Sequence, residues 1–437
     1  MQSSEVVEKI RQQYESEPYP NIPIDRSPKQ EINVLQFHNI VIPYYLRNQQ
    51  VIHSEGQVIL DAGCGSGYKA LILAEANPGA KIVGVDLSPR SIEVARDRLK
   101  YHNFENFEFH VMPLEELPSL GLEFDYINND EVLYLLPDLV AGLKAMKSVL
   151  KPDGIIRTNL HSAYQRAGFF RAQKFCKTIG LMDGNPEDFE VEILKETMEA
   201  LKNGVNLKQT TWGKNTRENP KVSLMNHLLQ GDKGYTIPEA FSLLEAAGLE
   251  FIKMLNARQW DLKELFQTPD NLPAFWAMSV PGLTVEEQLH LYELLHPVHR
   301  LIDFWCGHPN QAKPSTPVTE WNLEDWQNAR VYWHPQLKKD TVKKEFVDAM
   351  TQINSIDISR YLPMPGLSDI WVDSSTIACL LPLWEESQST IDLAQRWHQL
   401  RPVDPTTLQP IKSEEAWETV TQMLITMVEF GYVLVER

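Results

Sequence analysis

Ten residues, Val58-Ile-Leu-Asp-Ala-Gly-Cys-Gly-Ser-Gly67, constrain this chain more than any others. An apolar run followed by Gly63, Gly65 and Gly67 reads as a buried strand entering a sharp turn at the start of a helix. Glycines there let the backbone bend and let a ligand approach without meeting a Cβ atom. The helix expected over 68–76 offers its unpaired N–H groups to the same cavity. A ligand with an adenosine end is expected to bind.

Length and composition bound the rest. A chain of 437 residues exceeds the usual single domain, so one larger α/β domain and a smaller appendage are expected. With 43% apolar and 23% charged residues the composition is globular, and no run approaches the ~18 apolar residues of a membrane helix. The amino end lacks a basic region followed by an apolar run, which reads as no secretory signal and a cytoplasmic protein. Cys64, Cys176, Cys306 and Cys379 are scattered without a Cys-x-x-Cys pair, as suits a reducing compartment. A net charge of −18 argues against a broad nucleic-acid-binding face, and neither nucleic acid nor membrane is expected as a partner.

In chain order, a short helical pattern over 6–14 precedes a segment broken by Pro18, Pro20, Pro23 and Pro28, which must be extended. It reads either as a spacer or, because Tyr14, Tyr19, Ile22 and Ile24 are more apolar than a spacer requires, as a lid over a pocket. A helix over 34–47 follows. Strand and helix signals then alternate, as in a parallel sheet covered on both faces. Strands are predicted over 57–61, 81–86, 107–112, 124–128 and 154–160, with helices over 68–76, 90–101 and 138–150. Pro152-Asp-Gly154 reads as a turn into the fifth strand. Beyond Leu160, a helix over 163–179 leads to an insertion over 183–234 with helices near 189–203 and 222–230. Thr236 caps a helix ended by Gly248, and strands over 249–255 and 300–305, separated by a helix over 285–295, complete seven. The Pro-rich stretch 308–317 marks a boundary. Later helices over 341–353, 375–383, 390–398 and 415–430, with a last strand over 431–436, suggest a winged-helix-like module. The expected domains are an arm and helix acting as a lid (1–54), a Rossmann-like α/β domain (55–310) and an α+β accessory domain (318–437).

Two cofactor classes use a glycine-rich turn after the first strand and an acid after the second. A dinucleotide fingerprint would place its third glycine three residues after the second, with a pyrophosphate on the helix. Here Gly67 follows Gly65 by two, and Asp61 precedes the turn. That carboxylate would repel a pyrophosphate and favour a ligand carrying ammonium and sulfonium charge. Asp86 is placed to accept from two ribose hydroxyls.

With the segments 124–138 and Val149-Leu-Lys-Pro-Asp-Gly154, these features resemble the class I S-adenosylmethionine-dependent methyltransferases, in register from Val58 to about Leu160. The resemblance implies that Asp61, Gly63, Cys64, Gly65 and Gly67 surround the methionine end, Asp86 holds the ribose, and Leu87, Leu114 and Glu115 lie toward adenine. Asn128 to Glu131 would floor the site beside the methyl group. Met112-Pro113 replaces the Gly-Asp of many members, so the adenine amino group lacks its expected carboxylate. Looser marks, Tyr14-x-x-x-Pro-Tyr-Pro20, Tyr164-Gln-Arg-Ala-Gly-Phe-Phe-x-x-Gln173 and Tyr235-Thr-Ile-Pro, are similar to a bacterial subgroup. A fainter likeness is to methyltransferases with an appended regulatory domain, some of which modify protein lysines.

The cofactor implied, S-adenosylmethionine, is already an activated methyl donor. The protein must therefore align the acceptor, exclude water and remove a proton where one is present. Asp130, Glu131, Tyr134 and His161 are the candidate bases or orienters, with Tyr14, Tyr19, Tyr164 and Arg166 as pocket walls or anchors. No metal is expected; His296, His299, Cys306 and His308 read as packing and loop residues. Trp321, Trp326 and Trp333 read as domain-interface core. The expected activity is methyl transfer to a small molecule or protein side chain. A cofactor-binding scaffold without transfer and, more weakly, a nicotinamide-dependent dehydrogenase are the rival readings.

Overall fold

The computed structural model describes residues 19–362, 369–404 and 406–437. The helix expected over 6–14, together with Tyr14, lies outside the described residues. Two compact units emerge, one of residues 19–25, 58–70 and 82–310, the other of residues 26–57, 71–81, 311–362, 369–404 and 406–437.

The first unit is built on a seven-stranded mixed sheet. Its strands are β1 (Val58–Ala62), β2 (Lys81–Asp86), β3 (Phe107–Val111), β4 (Phe124–Asn129), β5 (Leu150–His161), β6 (Glu250–Met254) and β7 (Leu301–Gly307), in spatial order β3-β2-β1-β4-β5-β7-β6. β4 is buried along its whole length because helices cover both faces: all six of its residues are buried, Asp125, Asn128 and Asn129 among them. β7 runs antiparallel to both neighbours, which returns Asp303 opposite Asn159 and Leu301 opposite His161. The strand order reverses at β1 and β4, where Asp61 is in register with Asn128. Ligands of open α/β sheets bind outside the carboxyl ends of strands at such a switch point.

Most predicted elements form within a few residues of their expected bounds, and Thr236 makes a reciprocal capping box with Glu239. Two differ. The helix expected over 34–47 is two helices, Ile32–Phe37 and Val41–Asn48, because the ring of Pro43 would meet the carbonyl of Asn39 in a continuous one. The turn expected at Pro152–Gly154 is absorbed into β5, where the register against β4 slips between Phe124 and Tyr126. In the insertion, helices Asp188–Ala200, Asn206–Thr211, Lys214–Glu218 and Pro220–His227 gather a small core around Leu194, Met198 and Trp212.

In the second unit, Gln388–Ser389, Arg330–Trp333 and Val433–Glu436 form a three-stranded antiparallel sheet, accompanied by helices that include Asp340–Thr351, Thr390–Leu400 and Ser413–Glu429. Trp321, Trp326 and Trp333, expected at a domain interface, are instead buried in this unit's own core with Phe346 and Trp397. Their indole area is what a small sheet needs to bury. Among the described residues no helix is long and apolar enough to cross a membrane.

Candidate active site

The turn after β1 has the geometry its glycines predict. Gly63, Gly65 and Gly67 all have positive φ, and a Cβ on Gly67 would stand 2.6 Å from the Cα of Ala95. The N–H groups of Gly63 and Cys64 both donate to the carbonyl of Val85, tying the turn to β2. Asp86, at the end of β2, accepts from Gly65 N through one oxygen and from Ser88 N through the other, each at 2.9 Å. It thus shapes the turn and holds Ser88, the N-cap of the next helix, while each oxygen keeps further acceptor capacity. Burial raises its carboxyl above the ordinary value, against these hydrogen bonds.

Asp61 lies beneath the turn, 2% exposed. Asn128 Nδ2 donates to its Oδ1 at 2.9 Å, whereas its Oδ2 is buried without a hydrogen-bond partner. Burial pushes this carboxyl up to about 7, opposed mainly by the Asn128 bond. A buried acid with an unused oxygen beside a glycine turn fits a ligand that brings a positive charge and N–H donors, as the methionine ammonium of S-adenosylmethionine does. Cys64 is buried between Asp61 and Asp86, and burial followed by those charges keeps its thiol well above its ordinary value, so it is no nucleophile.

The described part of the proline-rich arm is tied to this turn. Ser66 donates from its backbone N to Tyr19 O (2.9 Å) and from its hydroxyl to Pro20 O (2.7 Å). The buried Arg98 donates to the carbonyls of Ser66, Ile22 and Pro23, and His102 meets Ile24 O at 2.9 Å. A Cβ on Gly65 would lie 2.2 Å from Tyr19 O, so this glycine is where arm and turn touch.

The four candidate bases or orienters converge beyond the carboxyl ends of β4 and β5. Tyr134 stacks on His161 with ring centroids 3.9 Å apart. His161 Nδ1 lies 2.6 Å from Asp232 Oδ1, and its Nε2 lies 3.2 Å from Arg300. Arg300 is also ion-paired with Glu131, whose backbone N donates to Asn159. Asn159 donates to Asp130 at 2.6 Å, and Asp130 pairs with Lys69 and approaches Arg157 at 3.6 Å. Arg157 forks onto Asp303 at 3.1 and 2.8 Å. Although burial opposes it, the Asp130 and Asp303 carboxylates hold Arg157 charged.

Other candidates stand apart. Leu87 is half-buried after β2; Leu114 is packed in the main core, and Glu115 is exposed at the surface. Tyr164 is 40% exposed, whereas Arg166 is buried, donating to Asp232 and Asn226. Arg300, Asp232, Asn159, Lys69 and Asp303 escape the sequence reading. Only the antiparallel return of β7 and the end of the insertion bring Arg300 and Asp232 here, and the sequence carries no local signal of either. Of His296, His299, Cys306 and His308, His299 bonds Gln259 O and stacks on Trp260, and His308 bonds Leu150 O. Among the described residues no group of three His, Cys, Asp or Glu side chains is arranged for a metal ion.

Comparison with known proteins agrees with this geometry. Residues 53–248 match the family model described as a methyltransferase domain. An uncharacterised protein of Synechococcus sp. is 28% identical over 61% of this chain and 63% of its own length. A malonyl-[acyl-carrier protein] O-methyltransferase of Acetivibrio thermocellus is 31% identical over 30% of this chain and 51% of its own. The chain thus spans between half and two thirds of the length of these curated relatives. The structure of PKMT2 from Rickettsia typhi in complex with AdoHcy has the same fold, with a TM-score of 0.54 at 17% identity over 96% of this chain and 77% of that one. Residues 53–248 thus match a methyltransferase domain, and the fold is shared with PKMT2.

Proposed function

We propose that the chain built around this S-adenosylmethionine-dependent methyltransferase domain transfers a methyl group to an oxygen of a small-molecule or protein acceptor by in-line displacement. The observation that carries the reading is the buried Asp61 carboxylate, one oxygen unpartnered, beneath three glycines of positive φ. S-Adenosylmethionine supplies an activated methyl group on a sulfonium. The chain's own residues do the rest: Asp61 attracts the ammonium, Asp86 meets the ribose, and Gly63, Cys64, Gly65, Gly67 and Asn128 line the methionine end. Leu87, Leu114 and Glu115 are assigned to the adenine side, with Leu114 acting through the core it packs in. Asp130, Glu131, Tyr134 and His161 face the acceptor. Relatives named O-methyltransferases, the malonyl-[acyl-carrier protein] enzyme and a ubiquinone biosynthesis enzyme of Acinetobacter baumannii, support oxygen as the acceptor atom.

The arm 1–54, with Tyr14 and Tyr19, is assigned as a lid and 55–310 as the transfer domain. Tyr164 and Arg166 are assigned to the acceptor side, Arg166 through Asp232. The three-stranded sheet and its helices support a winged-helix-like accessory domain over 318–437 that contacts protein. Four unpaired, buried cysteines fit the cytoplasm. The test offers purified protein methyl-labelled S-adenosylmethionine and a cell extract. Label on an acceptor is expected, with base-labile methyl esters or stable ethers marking oxygen; no transfer to any component would leave a cofactor-binding scaffold.

A further inference from the structure

A chain of buried polar side chains runs behind the proposed acceptor site. Asp232, its side chain fully buried, comes from the end of the insertion and meets His161 Nδ1 through one oxygen at 2.6 Å. Its other oxygen accepts from Arg166 at 3.0 Å and from Gln173 at 2.8 Å. Arg166 and Gln173 are fixed in turn by Asn226, through its side-chain and backbone oxygens respectively. The run Tyr164-Gln-Arg-Ala-Gly-Phe-Phe-x-x-Gln173 thus has a physical purpose, since its Arg and Gln aim at one carboxylate oxygen.

The other ring nitrogen of His161 decides the tautomer. Arg300 has donors and no acceptor, so an Nε2 that bonds to it at 3.2 Å must be unprotonated. The ring proton is then on Nδ1, facing Asp232. Tyr134 stacked on one face fixes the ring plane. Arg300, 45% exposed and already paired with Glu131, can stay on Glu131 while an acceptor group takes its place at Nε2.

Resting on the methyltransferase reading above, we infer that His161 is the proton acceptor for a hydroxyl substrate and that Asp232, held by Arg166 and Gln173, is the residue that positions it. The acceptor oxygen takes the methyl carbon and gives its proton to Nε2; the sulfur keeps the electron pair of the broken carbon–sulfur bond. His161 leaves the step as an imidazolium facing Asp232. The charged and titratable groups around the ring fit a neutral resting imidazole: Asp232 favours the cation, whereas Arg166 and Arg300 oppose it. Glu131 lies beyond Arg300, Tyr134 is stacked on the ring, and the Tyr235 phenol feels the Asp232 charge. Burial lowers His161 below its ordinary value despite Asp232. Burial alone would raise the Asp232 carboxyl, but the His161 bond and the charges of His161 and Arg166 hold it low.

The test is nitrogen NMR of the full chain with labelled histidine, His161 being assigned by its loss in His161→Gln. The wild type should hold His161 as the Nδ1–H tautomer at pH 7. In Asp232→Asn, the amide oxygen will face the Arg166 and Gln173 donors, turning its NH₂ toward Nδ1 and forcing the proton to Nε2. Label transfer to the extract should then fall by roughly 10²–10⁴-fold, while calorimetric affinity for S-adenosylhomocysteine changes less than about twofold, within the scatter expected of an untouched site. An Nε2–H tautomer in the wild type, decisive even if the variant does not fold, or full transfer by Asp232→Asn would overturn the inference. Absence of S-adenosylhomocysteine binding by the wild type would instead overturn the methyltransferase reading.

Discussion

The proposed cofactor side depends most on the charge of the buried Asp61. Its carboxyl, pushed up to about 7 by burial, is half protonated near neutral pH in the free protein. An ammonium ligand prefers the ionised form, so affinity for S-adenosylmethionine should rise as pH increases through about 7, and binding at pH 6 should release protons. Asp61→Asn keeps an acceptor for Asn128 but not the charge. It should weaken binding by about 1.5–3 kcal/mol and flatten the pH dependence in calorimetry; an undiminished pH dependence would move the charge effect elsewhere. Asp61, Asp86 and Asn128 were legible in sequence because each sits at a fixed offset from a strand end. Arg300 and Asp232 were not, because a residue's partner across a sheet or at the end of an insertion depends on tertiary closure. Glu115, placed by motif position, is exposed at the surface after β3.

At the scale of elements, alternating apolar runs and capped helices made the seven strands readable, since local propensity and burial agree there. The antiparallel placement of β7 between β5 and β6 has no local signature, and the break between Ile32–Phe37 and Val41–Asn48 depends on Pro43 acting four residues back. The described part of the arm, residues 19–25, is held by polar contacts. Its polar ties to the turn come from Ser66, Arg98 and His102. Ser66→Ala with His102→Ala removes two side-chain ties and leaves Arg98 in place. Limited proteolysis between residues 19 and 25 should accelerate severalfold, with a thermal midpoint lowered by only a few degrees, as loss of about 1–2 kcal/mol in a large chain implies. Unchanged cleavage would mean that Arg98 and the backbone bond from Ser66 to Tyr19 suffice to retain the arm.

Across the whole molecule, burial holds several histidines neutral. His161 and His299 are shifted down, His227 to about 4 and His334 to about 3. Below the ordinary value of 6.5 the unfolded chain takes up protons that the folded chain refuses, so these groups withdraw stability progressively as pH falls from about 6.5 toward 3–4. His334 isolates the effect within the second unit, where its Nδ1 accepts from Gln336 N at 3.1 Å. His334→Asn retains an acceptor without the titration. Its thermal midpoint should fall less than that of the wild type between pH 7 and pH 5, and equal falls would assign the acid sensitivity to other groups. Each unit has its own core, and the proposed chemistry lies at the switch point of the larger sheet. The most direct test of that claim is a calorimetric titration of the full chain with S-adenosylhomocysteine and, separately, with NAD. The account predicts saturable one-site binding of S-adenosylhomocysteine and none of NAD; binding of NAD in its place would contradict it.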